Sequence, residues 1–250
     1  MLKLMKYEFR KQAFSKFAIL ALVCLIELLF FVGVVASIEK LIATSMMLLT
    51  LFTIGALFFL AFESILTYSN DLKQKCSYML FLTPNTSYGI VGAKVLSAAI
   101  QIVLAGIAFF LIFALDGAVL ITKYDAVSEV KKIMVQIINE LFQIDIALSD
   151  VVSIVAVMIM GWISTITVAF LSITLSTTFL ANSKFKGVAS FAIFIALNLA
   201  YSYIIELTLG HTEDLSNITM YYSLESLYLL CFTIITYVGT AWMLEKKVSV

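Results

Sequence analysis

The sequence predicts an all-α integral membrane protein with six transmembrane helices, and three observations lead to this fold class. Hydrophobic residues make up 62% of the 250 residues and charged residues only 13%, whereas soluble domains are about 45–50% apolar and roughly 25% charged. The mean hydropathy of +1.08 is too high for a water-soluble protein, because so much apolar surface would find no interior large enough to hold it. The apolar residues are also gathered into long runs.

Six of these runs are long enough to cross a bilayer as helices, which takes about 20 residues for ~30 Å of hydrocarbon. The predicted spans of this single transmembrane domain, 1–250, are 17–36, 41–62, 95–115, 151–181, 187–205 and 224–244. Strands are disfavoured because the runs are long and do not alternate between apolar and polar residues. The fourth run has a second half rich in serine and threonine, and we expect it to tilt or to emerge into an interfacial turn.

The positions of the basic residues predict that both termini are cytoplasmic. Most of the 16 Lys and Arg residues lie before span one, between spans two and three, between spans four and five, or after span six. The exceptions are Lys40, Lys123, Lys131 and Lys132. Because cytoplasmic segments are the basic ones, this distribution fixes the expected orientation. Residues 1–16 place apolar residues at helical spacing beside a basic face, which predicts an interfacial helix on the inner leaflet.

The connection between spans two and three, 67–94, predicts a short cytoplasmic helix. Ser69 or Asn70 can cap a helix that begins at Asp71, and this helix should stop before Pro84, since the residue before a proline disfavours the helical conformation. A helix held between two spans would act as a lever, because a partner that pushes on it would move both spans. An ordinary capped loop is the alternative.

The connection 116–150 is expected on the outer side of the membrane. It is acidic overall, and its apolar residues recur at three- and four-residue spacing, which predicts an amphipathic helix. That helix would cap the outer mouth of the bundle or pack on the outer leaflet. The single histidine, His211, lies beside Glu213 and Asp214 in the last outer loop. This group is more typical of a solvated surface than of a metal site, so no metal is expected.

One carboxylate, Glu27, falls in the middle of the first span. A charge at that depth is costly, so Glu27 is expected to face the bundle interior and either pair with a polar neighbour or keep a proton. Gln101 in the third span and Asn198 in the fifth are the candidate neighbours. The three residues are candidates for a substrate or proton pathway, and a helix–helix contact is the alternative for Glu27. Glu63, Glu206 and Glu225 lie near span ends, where they can reach water.

The sequence contains none of the catalytic or nucleotide-binding motifs that would indicate an enzyme. The P-loop pattern G-x-x-x-x-G-K-[ST], the zinc pattern H-E-x-x-H and the nucleophile pattern G-x-S-x-G are all absent. Cys24, Cys76 and Cys231 indicate neither a disulfide framework nor a metal site. The chain is therefore expected not to be an enzyme and to hold no cofactor. Energy for any pumping would have to come from an ion gradient or from a partner.

Several segments, combined with the six-span topology, resemble the membrane subunits of ABC exporters of the type-2 permease class. The segments are the basic start Met1–Lys16, the loop Asn70–Pro84, the entry into the third helix Ser87–Leu96 and the basic tail Leu244–Val248. The resemblance covers nearly the whole chain. It implies a permease that moves a peptide, a drug or another amphipathic substrate outward across the plasma membrane, in a bacterial cell.

In that family a coupling helix between spans two and three docks on a separate ATP-binding subunit. The resemblance gives this role to Asp71–Leu82, with a second contact at Asn182–Lys186. The residues expected to contact the ATPase are Asp71, Leu72, Lys73, Lys75, Cys76, Met79, Leu80, Lys184 and Lys186. The resemblance also implies that the partner subunit binds ATP and Mg²⁺. A second permease subunit, identical or different, would complete the pathway, and no nucleic acid is involved.

Other functions remain open at this stage. The chain could be a membrane substrate-binding subunit of an importer, which would hold its ligand within one chain and would not need to dimerise. It could also be a gradient-driven carrier, or a membrane receptor or assembly scaffold that stimulates no ATPase.

Overall fold

The computed structural model describes residues 2–73, 86–124, 148–179, 185–210 and 218–246. Within these ranges the chain is helical and contains no strand. The helices are α1 (Leu2–Lys11), α2 (Ala13–Ala36), α3 (Glu39–Lys73), α4 (Ser87–Tyr124), α5 (Leu148–Phe179), α6 (Lys186–Leu209) and α7 (Ile218–Lys246). The last six of these are long and apolar enough to cross a membrane. In the described residues, the predicted all-α fold is therefore confirmed, with six helices that are long and apolar enough to cross a membrane.

The helices extend beyond the predicted spans, most of all around the connection between spans two and three. Helix α3 continues without a break through Ser69 and Asn70 to Lys73, so the prediction that one of these residues caps a new helix at Asp71 is wrong. The physical reason is that each added helical residue gains a backbone hydrogen bond, and no proline occurs before Pro84 to stop the helix. The segment 74–85 lies outside the described residues.

The fourth helix also begins and ends outside its predicted span. It starts at Ser87 and continues to Tyr124, so Asp116, which the sequence analysis assigned to the outer connection, is part of α4. The remainder of that connection, 125–147, lies outside the described residues. The Ser/Thr-rich half of α5 is helical to Phe179, and its hydroxyls bond back to carbonyls one turn earlier, as Thr174 does to Phe170 at 2.8 Å.

A tight turn joins α2 to α3. Ser37 adopts the left-handed conformation, with φ 55° and ψ 38°, and the amide of Ile38 donates a hydrogen bond to the carbonyl of Gly33 at 3.0 Å. A left-handed residue just after a helix is a common way to satisfy its last carbonyls. At Gly33 a Cβ atom would lie only 3.1 Å from both the backbone nitrogen and the Cγ1 atom of Ile42. A side chain at this position would therefore require α2 and α3 to move apart by a few tenths of an ångström.

The chain divides into two compact units, which share helices α3 and α4. The first unit comprises Met1–Arg10, Ala61–Ile100 and Leu148–Val250, and the second comprises Lys11–Leu60 and Gln101–Ala147. In the second unit, α2 packs with the first half of α3 and the second half of α4 through Val23, Leu49, Ala56 and Phe109. A further cluster of Phe30, Val34 and Ile42 lies beside the tight turn.

In the first unit, α5 and α7 run parallel to each other. Their side chains meet at a constant offset: Ser149 with Thr219 and Ser153 with Ser223 at 3.3 Å, 70 residues apart, and Thr167 with Thr236 at 3.0 Å, 69 residues apart. A constant offset requires that both helices point in the same direction. These contacts extend over roughly 27 Å at 1.5 Å per residue, almost the thickness of the hydrocarbon layer. Small hydroxyl residues let helices approach closely within a membrane.

One end of this first unit collects the ends of several helices. The ring of Tyr68, near the end of α3, stacks on Phe170 of α5 with centroids 4.1 Å apart, and its hydroxyl hydrogen-bonds with Thr174 at 2.6 Å. Near the end of α7, the hydroxyl of Tyr237 donates to the carbonyl of Tyr88 in the first turn of α4 at 2.8 Å. The last turns of α3, α5 and α7 and the first turn of α4 therefore lie together.

We expect Gly33→Ala to lower the stability of the protein, by about 1–3 kcal/mol as is usual for overpacking, because the added methyl meets the backbone of Ile42. Gly106→Ala, also inside a helix, is the matched control, because a Cβ atom there has no neighbour within 4 Å. The control should be neutral or stabilising, since alanine favours helix over glycine. Thermal unfolding of both variants in detergent measures the difference. Equal midpoints would contradict the close approach at Gly33.

Candidate functional site

A buried cluster of three charged residues lies in the first unit. The ammonium of Lys94, about two turns into α4, forms salt bridges to Glu8 of α1, at 2.5 Å, and to Asp71 near the end of α3. The side chains of Lys94, Glu8 and Asp71 are 5%, 6% and 12% exposed, respectively. We call these three residues the Lys94 cluster. It joins α1, α3 and α4 through one side chain.

The surroundings of Lys94 explain why its carboxylate partners are needed. It follows Ile90, Val91 and Ala93, all buried and at most 3% exposed, so its ammonium is largely shielded from water. A buried charge is tolerated only when it is paired and hydrogen-bonded. The lysine has three N–H donors and no acceptor, and the two carboxylates receive two of these donors.

The Lys94 cluster links the helices on both sides of the segment 74–85, so it couples their movements. Asp71 precedes the segment 74–85, and Lys94 follows it, so the salt bridge connects the two helices that flank this segment. Glu8 adds the N-terminal helix to the same point. A displacement of either flanking helix must therefore break the salt bridge or carry the other helix and α1 with it.

A second polar site lies inside the second unit, between α2 and α4. The carboxyl groups of Glu27 and Asp116 are neighbours within this unit. Asp116 is only 2% exposed. One oxygen of each group, Oε1 of Glu27 and Oδ2 of Asp116, is buried and has no hydrogen-bond donor among the residues that the structure describes. An ionised carboxylate can only accept, so a hydrogen bond between two carboxyl groups requires one shared proton.

The two predicted neighbours of Glu27 make different contacts. Gln101 is 5% exposed, and neither its amide nitrogen nor its amide oxygen has a partner within the described part of the chain. The amide of Asn198 donates to the carbonyl of Phe194 in its own helix, at 2.8 Å. Within the second unit, Gln101 makes no hydrogen bond to Glu27, and the carboxyl neighbour of Glu27 is Asp116. The sequence analysis missed this pair because Asp116 was assigned to the connection after the third span.

The residues predicted to contact an ATPase are only partly described. Asp71 belongs to the Lys94 cluster, and Leu72 beside it is half-buried. Lys73 is the last residue of α3, and Lys186 is the first residue of α6. Lys75, Cys76, Met79, Leu80 and Lys184 lie outside the described residues. The structure places two further charged residues, Glu8 and Lys94, in the same cluster as Asp71. The sequence feature that could have pointed to Glu8 is that it is the one acidic residue in the basic segment 1–16.

No group of histidine, cysteine or acidic residues is arranged to hold a metal ion in the ranges that the structure describes. The thiols of Cys24 and Cys231 are free and exposed on the helix surface. His211, Glu213 and Asp214 lie outside the described residues.

Comparison with known proteins finds no relative from which a function can be transferred. No family model matches the sequence, and no curated protein or solved structure is significantly similar to it. The functional argument therefore rests on the sequence pattern and on the geometry of the sites described above.

We expect Lys94→Met to destabilise the protein strongly, because it removes the ammonium that pairs with the buried carboxylates of Glu8 and Asp71. Removal of one partner from a buried ion pair typically costs about 3–5 kcal/mol. The triple variant Glu8→Gln, Asp71→Asn, Lys94→Met should recover much of this loss, since it also removes the two carboxylates that pair with Lys94. The midpoint of thermal unfolding in detergent is the measurement.

Lys40→Met is the matched control for Lys94→Met, because Lys40 is an exposed lysine at the start of α3. It should leave the unfolding midpoint unchanged. If Lys94→Met and Lys40→Met unfold at the same temperature, the Lys94 cluster does not stabilise the fold.

Proposed function

We propose that this multi-pass membrane protein is the permease subunit of an ATP-driven exporter of the ABC type-2 permease class. It moves a peptide, a drug or another amphipathic substrate outward across the plasma membrane of a bacterial cell. The energy comes from a separate ATP-binding subunit that holds ATP and Mg²⁺. The proposal is supported by the resemblance of the sequence to that class and by the six helices that can cross a membrane.

The Lys94 cluster is the observation that carries this proposal. A transporter driven by a separate ATPase needs a connection through which a push on the cytoplasmic side reaches the spans. The segment 74–85, which contains most of the proposed coupling region, is bounded by two helices that the salt bridge between Asp71 and Lys94 ties together. Glu8 ties α1 to the same lysine. A force on this segment would therefore move α1, α3 and α4 together.

The proposed orientation places both termini in the cytoplasm. Two contacts within the first unit support termini on a common side: Glu8 of α1 contacts Lys94, and Tyr237 of α7 contacts Tyr88, both in the first turns of α4. The basic residues of the terminal segments indicate that this side is the cytoplasm. A second permease subunit, identical or related, would complete the translocation pathway.

A gradient-driven carrier is the second candidate function, and the carboxyl pair of Glu27 and Asp116 favours it. Ionisable residues inside membrane helices often form proton relays. A pair of carboxyl groups that shares one proton can release and rebind it, whereas a purely structural contact needs no titratable group. The two candidate functions differ in their source of energy, so they can be separated experimentally.

If the exporter proposal is correct, purification of the chain from its native host in a mild detergent should retain a bound protein with a P-loop. Mass spectrometry of the purified complex identifies this protein. The double variant Leu72→Glu, Met79→Glu should still insert into the membrane but lose the bound ATPase, because both changes put charge on the apolar side of the proposed coupling region.

Asn70→Glu is the matched control for this experiment. It introduces the same charge on an exposed residue of α3, two positions before Leu72 and on a different side of the helix. It should retain the ATPase. Recovery of the wild-type chain without any nucleotide-binding protein would contradict the exporter proposal.

A gradient-driven carrier would let protons cross the membrane through the protein, whereas the proposed exporter would not. In proteoliposomes that contain this chain alone, we expect no proton entry when a valinomycin-induced potassium potential is imposed, because an ATP-driven permease is closed without its ATPase. A pH-sensitive dye inside the vesicles records the flux. Proton entry that is at least about tenfold slower in Glu27→Gln than in the exposed-carboxylate control Glu39→Gln would instead establish the carrier.

A further inference from the structure

A cleft of about 410 Å³ opens between the end of α6 and the beginning of α7, both in the first unit. The residues that define its chemistry are Tyr201, Ser202, Glu206, Gly210, Tyr221 and Glu225. The volume is within the range of about 300–1,000 Å³ that small-molecule sites occupy. None of the sites described above includes this cleft.

The lining of the cleft is acidic and aromatic. Glu206 and Glu225 supply two carboxyl groups, and none of the described residues that line the cleft is a lysine or an arginine. The segment 211–217, which joins the two helices, also contains no lysine or arginine in its sequence. The cleft therefore favours a cation and disfavours an anion.

Tyr201 provides an ordered aromatic wall and a buried hydroxyl. Its ring stacks on Phe232 of α7 with centroids 4.8 Å apart, so the ring is fixed in position. Its hydroxyl is shielded from solvent and has no hydrogen-bond partner among the described residues. A buried hydroxyl without a partner costs free energy, and the contribution of this residue to the cleft is the face of its ring. The second phenol, Tyr221, is held edge-on against Tyr222 at 5.3 Å.

The end of α6 adds a further negative contribution. The helix ends at Leu209, and the amide of Gly210 donates to the carbonyl of Glu206 at 3.0 Å. Carbonyl groups at a helix C-terminus carry partial negative charge and attract cations. Carboxylates, aromatic faces and a helix C-terminus thus meet on one cleft.

The aromatic and acidic lining of the cleft favours the binding of an organic cation over that of a metal ion. The faces of aromatic rings attract ammonium groups, and quaternary ammonium ligands are commonly bound in aromatic sites that include carboxylates. A metal ion would need three or more close ligands, and the described residues include no such group of histidine, cysteine or acidic side chains.

We propose that the cleft between α6 and α7 binds an organic ammonium group. The group belongs either to a soluble amine or to a choline or ethanolamine lipid headgroup, which share this chemistry. The cleft lies roughly 24 Å along α7 from Tyr237, far from the Lys94 cluster. The inference does not depend on the proposed transport function.

The test uses the purified full-length protein in dodecyl maltoside micelles, which carry no ammonium group. We expect radiolabelled choline to bind saturably in equilibrium dialysis. Glu225→Gln should weaken this binding roughly tenfold or more, the equivalent of about 1.4 kcal/mol, and Glu206→Gln is a second variant in case the first does not fold. Glu39→Gln, an exposed carboxylate outside the cleft, should bind choline like the wild type.

Two tyrosine variants test the aromatic wall separately from the charge. Tyr201→Phe keeps the ring face and should stay within about threefold of the wild-type affinity, whereas Tyr201→Leu removes the ring and should weaken binding further. Equal affinities of the Leu and Phe variants would overturn the assignment of Tyr201 as the aromatic wall.

Short-chain lipids distinguish the two sources of the ammonium group. If dihexanoyl-phosphatidylcholine displaces choline at far lower concentration than unlabelled choline does, the ligand is a lipid headgroup. If the two compete equally, the ligand is a soluble amine. Dihexanoyl-phosphatidylglycerol, which has no ammonium group, should not compete. The absence of saturable choline binding, or unchanged binding in a folded Glu206→Gln, Glu225→Gln double variant, would overturn the proposal.

Discussion

The lack of water inside a bilayer is the constraint on which the rest of this structure depends. A backbone polar group in hydrocarbon has no solvent partner, so each spanning segment must satisfy its own N–H and C=O groups as a continuous helix. The same constraint governs the hydroxyl side chains of α5. Ser172 and Thr174 bond to carbonyls one turn earlier, and Thr167 also bonds across to Thr236. Serine and threonine, which weaken helices in soluble proteins, here connect the parallel helices α5 and α7.

The constraint is more severe for charged groups, and the protein meets it in two ways. In the Lys94 cluster, one ammonium forms salt bridges to two carboxylates, and these contacts hold three helices at one point. Between α2 and α4, Glu27 and Asp116 have no basic partner among the described residues, and their contact is possible because a single proton can be shared between them.

The charged sites also occupy different parts of the molecule. The Lys94 cluster lies where the ends of α3, α5 and α7 meet the first turns of α4, whereas the acidic and aromatic cleft lies at the other end of α7. The carboxyl pair belongs to the second unit.

The sequence by itself determined the fold class and the number of spanning helices, because hydrophobic length and composition depend on the bilayer and not on neighbouring helices. It also singled out Glu27 as a charge that is costly to bury in the membrane.

Only the tertiary structure shows which side chains the charged residues contact. Lys94 counted in the sequence only as a basic residue near a span, and Glu8 was not singled out. Asp116 was assigned to a loop because hydrophobicity falls before the helix ends. A contact between residues separated by 86 or 23 positions, as Lys94 makes with Glu8 and Asp71, has no signature in local periodicity, since it depends on how helices pack.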